Sequence, residues 1–296
     1  MPKQNTFTRI EKVLDYLHEH LDETINVADL AEKSCWSRWQ FQRVFGQATG
    51  ITVAQYIREL RLSKAAELLL SSKTKHLDIA ILCGFDSEIS FSRAFKQFFH
   101  CTPREYRLRG KRQGLRTPLC PRENKHQDDE KSPLSFTQIR IESHDAFHVQ
   151  GKHDWISGLF SSSPNFLERV PKLWQALNPP TMLVDSIQPI GVIDTRDQVD
   201  HPNQLHYWAG FLTHAPNKCP SRDLDTLQVP PQEYAVIPVQ GKVAAIEKNV
   251  AWCLSYWLPQ SNYDGISGYE LEKYEPGYDP KDPSSYMEYW LPIRPR

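Results

Sequence analysis

The stretch Val27-Ala28-Asp29-Leu30-Ala31, followed by Ser37-Arg38-Trp39-Gln40-Phe41-Gln42-Arg43-Val44-Phe45, has the pattern of a helix-turn-helix. A second such pattern starts at Leu77-Asp78-Ile79-Ala80 and continues through Gly84-Phe85 into Glu88-Ile89-Ser90-Phe91-Ser92-Arg93-Ala94-Phe95. Apolar residues at helical spacing between Ile57 and Leu69 predict one helix that joins the two. Two such patterns on one connecting helix predict a domain that binds two stretches of DNA groove.

Capping residues mark where several of these helices begin. Ser37 and Gln40 form a Ser-x-x-Gln capping box, and Thr102 and Glu105 form a second one with a proline at the first helical position. Asn26 is a suitable N-cap for the helix before Ser37. We therefore predict that residues 6–109 are nearly all helical.

The helix after Ser37 has one apolar face and one face that is predicted to be exposed. The apolar residues at i, i+3, i+4 and i+7 are Phe41, Val44, Phe45 and Ala48. Packing them inward turns Trp39, Gln42 and Arg43 outward. Glutamine pairs with adenine, arginine with guanine, and an aromatic ring contacts thymine methyls. The alternative is an ordinary solvated helix face, but such a face rarely leaves a tryptophan uncovered.

The helix that begins near Glu88 is predicted to hold the DNA backbone more than it reads bases. Arg93 and Lys96 are placed to contact phosphates. Glu88 can accept a hydrogen bond from a cytosine amine, or it is simply a carboxylate stabilised by the helix dipole. Ile89 has no side-chain group that can form a hydrogen bond to a base. The complete predicted DNA-binding set is Trp39, Gln40, Gln42, Arg43, Glu88, Ser92, Arg93 and Lys96.

Charge is distributed unevenly along the 296 residues, although the net charge is only −1. Residues 1–116 contain 19 Lys and Arg against 13 Asp and Glu, and the remainder contains 16 against 23. A basic first part tied to an acidic second part is typical of a nucleic-acid module joined to a domain that does not bind nucleic acid. The length and this asymmetry predict two domains.

The sequence changes character after the helical region. We predict a DNA-binding domain over residues 1–110, a solvated linker over 111–133, which is rich in Gly, Pro and polar residues, and a second domain over 134–296. Stretches with strand character surround two helical stripes, at Leu167 to Leu177 and at Ile246 to Trp257. The second domain is therefore predicted to be α+β, built from two successive strand-helix-strand-strand repeats.

The last predicted strand, over residues 286–293, places a carboxylate between two aromatic residues on one face. Period two puts Tyr286, Glu288 and Trp290 together. Aromatic rings and a carboxylate suit a lipophilic cation. The alternative for Glu288 is a carboxylate that protects a sheet edge. The complete predicted ligand-binding set is Glu288, Tyr286, Trp290, Trp208, Tyr207 and Trp155. Trp174 and Trp257 lie on helix stripes and are predicted to fill the core.

Residues 9–109 resemble the DNA-binding domain of the AraC/XylS family of bacterial transcription regulators. The residues that carry the resemblance include Ala28-Asp29-Leu30-Ala31, Ser37 to Phe45, Arg61-Leu62-Ser63-Lys64-Ala65, Gly84-Phe85-Asp86-Ser87, Phe91 to Lys96 and Thr102 to Arg107. The most similar members bind degenerate promoter sites as monomers, with two recognition helices in successive major grooves. The resemblance implies base contacts by Trp39, Gln42 and Arg43, and it places Arg93 on the DNA face of the second helix. This chain has Glu88-Ile89 where those members often have a Gln pair.

Residues 135–296 resemble the gyrase-inhibitor-like effector-binding domain. The residues that carry the resemblance include Val170 to Trp174, Tyr207 to Gly210, Pro231 to Val236, Tyr256 to Tyr263, Leu271 to Tyr274 and Glu288 to Ile293. In several members a carboxylate on the last strand binds cationic ligands, and Glu288 occupies that place here. The resemblance implies a small hydrophobic or cationic effector but does not identify it.

These observations predict a DNA-binding transcription regulator, an activator by family resemblance, whose partners are promoter DNA, a small-molecule effector and RNA polymerase. We predict no catalytic residue, no metal site and no cofactor, since no Ser-His-Asp order, metal-ligand spacing or phosphate loop is evident. The alternatives are a second domain that is a hydrolase, with Glu288 or Glu272 as a general base, or a protein-interaction module. The six cysteines include no C-x-x-C pair, and neither a signal peptide nor a membrane span is apparent, so we expect a cytoplasmic protein.

Overall fold

A computed structural model describes residues 2–23, 25–122, 135–158, 161–177, 188–196, 204–213 and 224–296. It divides into two compact units, residues 1–142 and 143–296. Cys219 and residues 123–133 of the predicted linker lie outside the described residues. No helix among the described residues is long and apolar enough to cross a membrane.

The first unit is a set of seven helices followed by two strands. The helices are α1 (Pro2–Glu19), α2 (Val27–Lys33), α3 (Arg38–Thr49), α4 (Val53–Ser71), α5 (His76–Leu82), α6 (Glu88–Phe99) and α7 (Pro103–Arg109). The predicted caps are confirmed: Asn26 accepts a hydrogen bond from Ala28 N, and both capping boxes are closed. The two helix-turn-helix motifs are therefore α2–α3 and α5–α6, with α4 between them.

The prediction of a solvated linker over 111–133 is wrong for its first half. Strand β1 (Gln113–Arg122) pairs in antiparallel register with β2 (Ser135–His144). The glycines and prolines of this segment are typical of a linker. Prolines are nevertheless tolerated at sheet edges and beside irregularities in pairing, and β1 has a register shift between Arg116 and Leu119. The predicted domain boundary at 133/134 also differs from the division between the compact units, which falls after Glu142.

Strand β1 belongs to the core of the helical unit. Leu119 and Phe136 lie in the same buried apolar cluster as residues of α1, α2, α3 and the first half of α4. The hydroxyl oxygen of Tyr56 on α4 accepts a hydrogen bond of 3.0 Å from Leu119 N, and Ser63 Oγ accepts one of 2.8 Å from Arg116 N. The hairpin thus covers α4 and satisfies polar groups there.

The second unit is built on one antiparallel sheet. Its elements are β3 (Phe147–Ile156), α8 (Phe166–Gln175), β4 (Pro189–Asp194), β5 (Leu205–Thr213), β6 (Asp225–Val229), β7 (Gln232–Gln240), α9 (Ala244–Trp252), a π-helical turn (Cys253–Trp257), α10 (Leu258–Gln260), β8 (Tyr263–Gly265), β9 (Tyr269–Tyr274) and β10 (Tyr286–Pro295). Within this unit the strand order is β7-β10-β9-β4-β5-β3-β6, and β8 pairs with β10.

The predicted duplication is confirmed by this order. The units β3-α8-β4-β5 and β7-α9-β9-β10 are each a strand-helix-strand-strand repeat, and their second strands, β4 and β9, pair at the centre of the sheet. From the centre outward, each repeat places its second strand first, then its third strand and then its first strand: β4-β5-β3 on one side and β9-β10-β7 on the other. Strands β6 and β8 are additions that the pattern did not predict.

The two faces of the sheet have different environments. On one face, Tyr207 and Tyr289 point towards a cavity bordered by α8 and α9. On the other face, a buried apolar cluster includes Trp208, Trp290, Val229 of β6 and Tyr234 of β7. Because β6 and β7 are the two ends of the strand order within this unit, the sheet must curl to bring them into one cluster. This second face therefore forms a core between strands of the same sheet.

Candidate DNA interface and ligand cavity

The outward face of α3 has the exposure that a base-reading helix requires. Trp39 is 66 % exposed, and Gln42 and Arg43 are exposed, whereas Phe41 and Phe45 are fully buried. The guanidinium of Arg43 lies 5.3 Å from the ring centroid of Trp39. This stacking preorganises the arginine, which lowers the conformational entropy that it loses on contacting a base. The role of these residues in binding DNA stays a prediction.

Gln40, also predicted to contact DNA, has a structural role in α3. Its Oε1 accepts a hydrogen bond of 3.0 Å from Ser37 N, and Gln40 N donates to Ser37 Oγ. The side-chain carbonyl is therefore engaged in starting the helix. Trp39, Gln42 and Arg43 are better placed to meet bases.

The exposed face of α6 has an apolar residue near its start and basic residues further along. Glu88, Arg93 and Lys96 are exposed, Ser92 is half-buried, and Ile89 is 67 % exposed. Glu88 lies in the first turn after the N-cap Ser87, which accepts from Ser90 N. This arrangement fits both readings of Glu88, as a base contact and as a carboxylate at the helix dipole.

Arg107 on α7 makes hydrogen bonds within the fold. Its Nε donates a hydrogen bond of 3.1 Å to Leu69 O, and its Nη2 donates one of 2.6 Å to Thr74 O. It ties α7 to the end of α4 and to the segment that precedes α5.

A cavity of about 700 Å³ lies between the sheet and the helices of the second unit. Helix α8 contributes Phe166, Val170 and Trp174, and α9 contributes Ile246 and Val250. No residue of α8 is fully buried, and part of its apolar face borders this cavity. The volume is within the range of small-molecule sites.

Two carboxylates of β9 lie at the floor of the cavity. Oε2 of Glu272 accepts hydrogen bonds from the hydroxyl of Tyr207 at 2.6 Å and from that of Tyr274 at 2.5 Å. Oε2 of Glu270 accepts one from the hydroxyl of Tyr289. The indole of Trp174 donates to the Tyr207 oxygen at 3.1 Å, so the network continues to α8.

Burial determines the charge of these carboxyl groups. Desolvation raises the pKa of Glu270 to about 7, with the hydrogen bond from Tyr289 acting against it and the nearby Glu272 adding to it. Desolvation also raises the pKa of Glu272, against the hydrogen bonds from Tyr207 and Tyr274. The pair therefore takes up a proton more readily than exposed carboxylates do, and a bound positive charge would favour its ionised form.

Of the predicted ligand-binding residues, only Tyr207 lines this cavity. Glu288, Tyr286 and Trp290 lie on the opposite face of the sheet, where Trp290 is 7 % exposed and donates a hydrogen bond of 3.0 Å to Glu288 Oε2. Tyr289, and not Glu288, is the residue of that strand that faces the cavity, so a role of Glu288 in ligand binding stays a prediction.

Trp208 and Trp155 also do not line this cavity. Trp208 is 6 % exposed in the apolar core of the curled sheet, and Trp155 stacks on His206 with ring centroids 4.5 Å apart. Trp174, predicted to fill the core, instead borders the cavity, while Trp257 is 3 % exposed, as predicted for a core residue.

The sequence contains a pattern that could have predicted Glu270 and Glu272 as a pair, although neither is in the predicted ligand-binding set. In the strand over 269–274, period two places Glu270, Glu272 and Tyr274 on one face. Two acidic residues that alternate with Tyr269 and Leu271 in the middle of a domain are unusual unless that face borders a site. Among the described residues, no group of three or more His, Cys, Asp or Glu side chains is arranged to hold a metal ion.

Comparisons with known proteins agree with both units. A family described as a helix-turn-helix domain matches residues 30–109, and a family described as a GyrI-like small molecule binding domain matches residues 137–294. The transcriptional regulator Rob of Salmonella typhimurium is 28 % identical over 96 % of this chain and 98 % of its own length.

Other relatives match the helical unit alone. The transposon Tn10 TetD protein of Escherichia coli is 44 % identical over 34 % of this chain and 72 % of its own length. The regulatory protein SoxS of Salmonella typhimurium is 38 % identical over 34 % of this chain and 94 % of its own length. The chain therefore belongs to the family of the GyrI-like small molecule binding domain, here joined to an AraC-type helix-turn-helix domain, and it is a DNA-binding transcription regulator with a domain that binds small molecules.

Proposed function

We propose that this regulator responds to a lipophilic cation that binds between α8 and α9, against Glu270 and Glu272. One observation carries the proposal: the cavity lining contains these buried carboxylates, while the described residues that line it include no Lys, Arg or His. A buried negative charge without a counter-charge is costly. A cation supplies that counter-charge, and the aromatic walls add cation–π attraction.

The apolar walls select for the rest of the ligand. Phe166, Val170 and Leu254 present hydrocarbon surface, and Trp174 presents an aromatic ring. Burial of apolar ligand surface contributes about 25 cal/mol per Å². A small hydrated cation such as an inorganic ion gains none of this, so we expect a bulky organic cation.

Titration with charged and uncharged probes tests the proposal. Methyltriphenylphosphonium, the uncharged triphenylphosphine oxide and the anion deoxycholate would each be added while tryptophan fluorescence is recorded, because Trp174 lines the cavity. We expect the phosphonium to bind at least about tenfold more tightly than the phosphine oxide, a difference of about 1.4 kcal/mol.

Two variants make this test specific. Glu272→Gln removes the charge but keeps the shape, and it is expected to weaken phosphonium binding by about tenfold or more. Glu288→Gln is the matched control on the other face of the sheet and should leave the affinity unchanged. Equal affinity for the cation and its uncharged analogue, or loss of binding in Glu288→Gln alone, would refute the proposal.

On DNA, we infer that α3 reads bases with Trp39, Gln42 and Arg43 while α6 contributes chiefly phosphate contacts through Arg93 and Lys96. The exposed basic residues of α6 and its apolar Ile89 support this division. We further propose activation through RNA polymerase, which the family resemblance suggests. Transcription by purified RNA polymerase from a promoter bound by the protein should rise when the protein is added, and a fall would identify a repressor.

A catalytic role for the cavity is the second candidate. The observation in its favour is Glu270, because a carboxyl group with a pKa near 7 is suited to general acid–base chemistry. Turnover of a small electrophile by the wild-type protein, lost in Glu270→Gln, would establish an enzyme. Binding of cations without turnover would support the regulator alone, and a cavity that takes up none of the probes would favour a protein-interaction module.

A further inference from the structure

Arg61 lies at the point where α4 passes from the core of the first helix-turn-helix to that of the second. Leu60 is the last residue of α4 in the apolar cluster shared with α1, α2 and α3. The next apolar residue, Leu62, is fully buried but lies outside that cluster. Helix α4 is therefore a shared support, and the relative orientation of the two motifs depends on what holds each of them against it.

The guanidinium of Arg61 donates hydrogen bonds to both sides of this junction. Its Nε donates to Leu21 O at 2.8 Å and its Nη2 donates to Glu23 O at 2.5 Å, in the segment between α1 and α2. Its Nη1 donates to Gly84 O at 3.1 Å, in the turn between α5 and α6. One side chain thus links the segment that leads into the first motif with the turn inside the second.

Gly84 is shaped to receive this side chain. A Cβ atom at position 84 would lie 2.8 Å from Cζ of Arg61, so a glycine is required for the guanidinium to reach the turn. Its φ of +72° also favours glycine. Burial lowers the pKa of Arg61, and the carboxylates of Asp86 and Asp22, one from each side of the junction, act in the opposite direction.

We propose that Arg61 is a positioning residue that fixes the orientation of α3 relative to α6 and thereby determines which spacing of two DNA half-sites the protein accepts. The proposal rests on the inferred docking of both helices on DNA. Three carbonyls in different directions match the planar guanidinium, which has five N–H donors, whereas a lysine ammonium cannot reach all three. Half-sites are read in successive grooves about 10 base pairs apart, so a rigid pair of helices accepts few spacings.

The first experiment measures geometry without DNA. Nitroxide labels on genetically encoded ketone side chains at Gln47 of α3 and Lys96 of α6, both exposed, report the distance distribution between the two helices in the full chain. We expect a narrow distribution in the wild type and a distribution at least about twice as broad in Arg61→Lys. Arg107→Lys is the matched control, because Arg107 also donates to two carbonyls but only within the second half of the unit. An unchanged width in Arg61→Lys would overturn the proposal.

The second experiment measures DNA selectivity. A duplex selected from a random-sequence library with the wild-type protein would be compared with versions that carry one or two extra base pairs between the half-sites. One added base pair rotates a half-site by about 34°. We expect the wild type to lose about tenfold or more in affinity on insertion, and Arg61→Lys to lose clearly less while binding the parent duplex more weakly.

The outcomes separate a failure of the proposal from a failure of the inferred docking. A spacing penalty in Arg61→Lys equal to that of the wild type would refute the positioning role. If Arg61→Lys also loses as much thermal stability as Arg107→Lys, Arg61 is a structural residue only. If the wild type itself shows no spacing penalty, the docking of two helices is wrong, while the label distances still decide whether Arg61 holds the two motifs in place.

Discussion

The hydroxyl of Tyr207 donates a hydrogen bond of 2.6 Å to Oε2 of Glu272, although the strands of these residues, β5 and β9, are separated by β4. Gly191 makes this contact possible. It pairs with Glu272 in the β4–β9 register, and a Cβ atom at that position would lie 2.6 Å from both hydrogen-bonded atoms. The absence of a side chain in the middle strand lets the two polar groups meet above it.

Replacement of Gly191 by alanine should therefore disrupt the cavity floor. Because the new methyl group would occupy the space between Tyr207 and Glu272, we expect a loss of about 1–3 kcal/mol in the free energy of unfolding and weaker cation binding. Calorimetry and the fluorescence titration would measure the two effects. Gly46→Ala is the matched control, since the nearest atom to its added Cβ is 3.9 Å away. Equal stability of the two variants would contradict this account.

Glu270 should make the stability of the protein depend on pH. Its folded pKa of about 7 lies above the ordinary value of 4.5, so the folded state holds the proton more strongly than the unfolded state. The stability that this group contributes is present below about pH 4.5, is lost as the pH rises to about 7, and stays lost above that. Glu270→Gln cannot ionise, so it should be more stable than the wild type at pH 8, by at most about 3 kcal/mol. Urea unfolding at several pH values would measure this, and a difference that grows towards acid pH would reverse the argument.

Two substitutions should separate base reading from phosphate contact. Arg43→Ala is expected to weaken binding to the selected duplex by about 1–3 kcal/mol and to relax its sequence preference. Lys96→Ala should weaken binding to all duplexes alike. It should also reduce the slope of log affinity against log salt concentration by about one, because one fewer counterion is released. Lys248→Ala, an exposed lysine of α9, controls for the change in charge. Gel-shift titrations at several salt concentrations measure these effects, and unchanged specific affinity in Arg43→Ala would exclude base contact by this residue.

Strand β1 should be as important for stability as the helices it packs on. Leu119 is 5 % exposed within the core of the first unit, so Leu119→Ala should cost about 2–4 kcal/mol of unfolding free energy. Leu108 on α7 is 77 % exposed, and Leu108→Ala should change the stability by less than about 0.5 kcal/mol. Thermal denaturation of both variants measures the contrast. A negligible effect of Leu119→Ala would show that the segment behaves as the linker that the sequence suggested.

Signals that depend on neighbours in the chain could be read from the sequence. The capping box at Ser37 and Gln40, the exposed Trp39 and the buried Phe41 follow from helix periodicity and local hydrogen bonds. The duplicated second unit follows likewise, because the strand and helix periods of its two halves repeat. These features need only the residues of one element to be specified.

The sequence by itself determined which residues share a face of a helix or a strand: it grouped Glu288 with Trp290, and the same period places Glu270 with Glu272, a pair that the predicted site did not include. Only the tertiary structure decided which of those faces borders the cavity. Period two is the same for both faces of a strand, and the choice is made by α8, α9 and the curl of the sheet, which bury one face as a core and leave the other over a cavity. Only the tertiary structure shows the contacts of Arg61 with Leu21 and Gly84. Arg61 bonds there to backbone carbonyl groups, which every residue type has, so the sequence gives no sign of them.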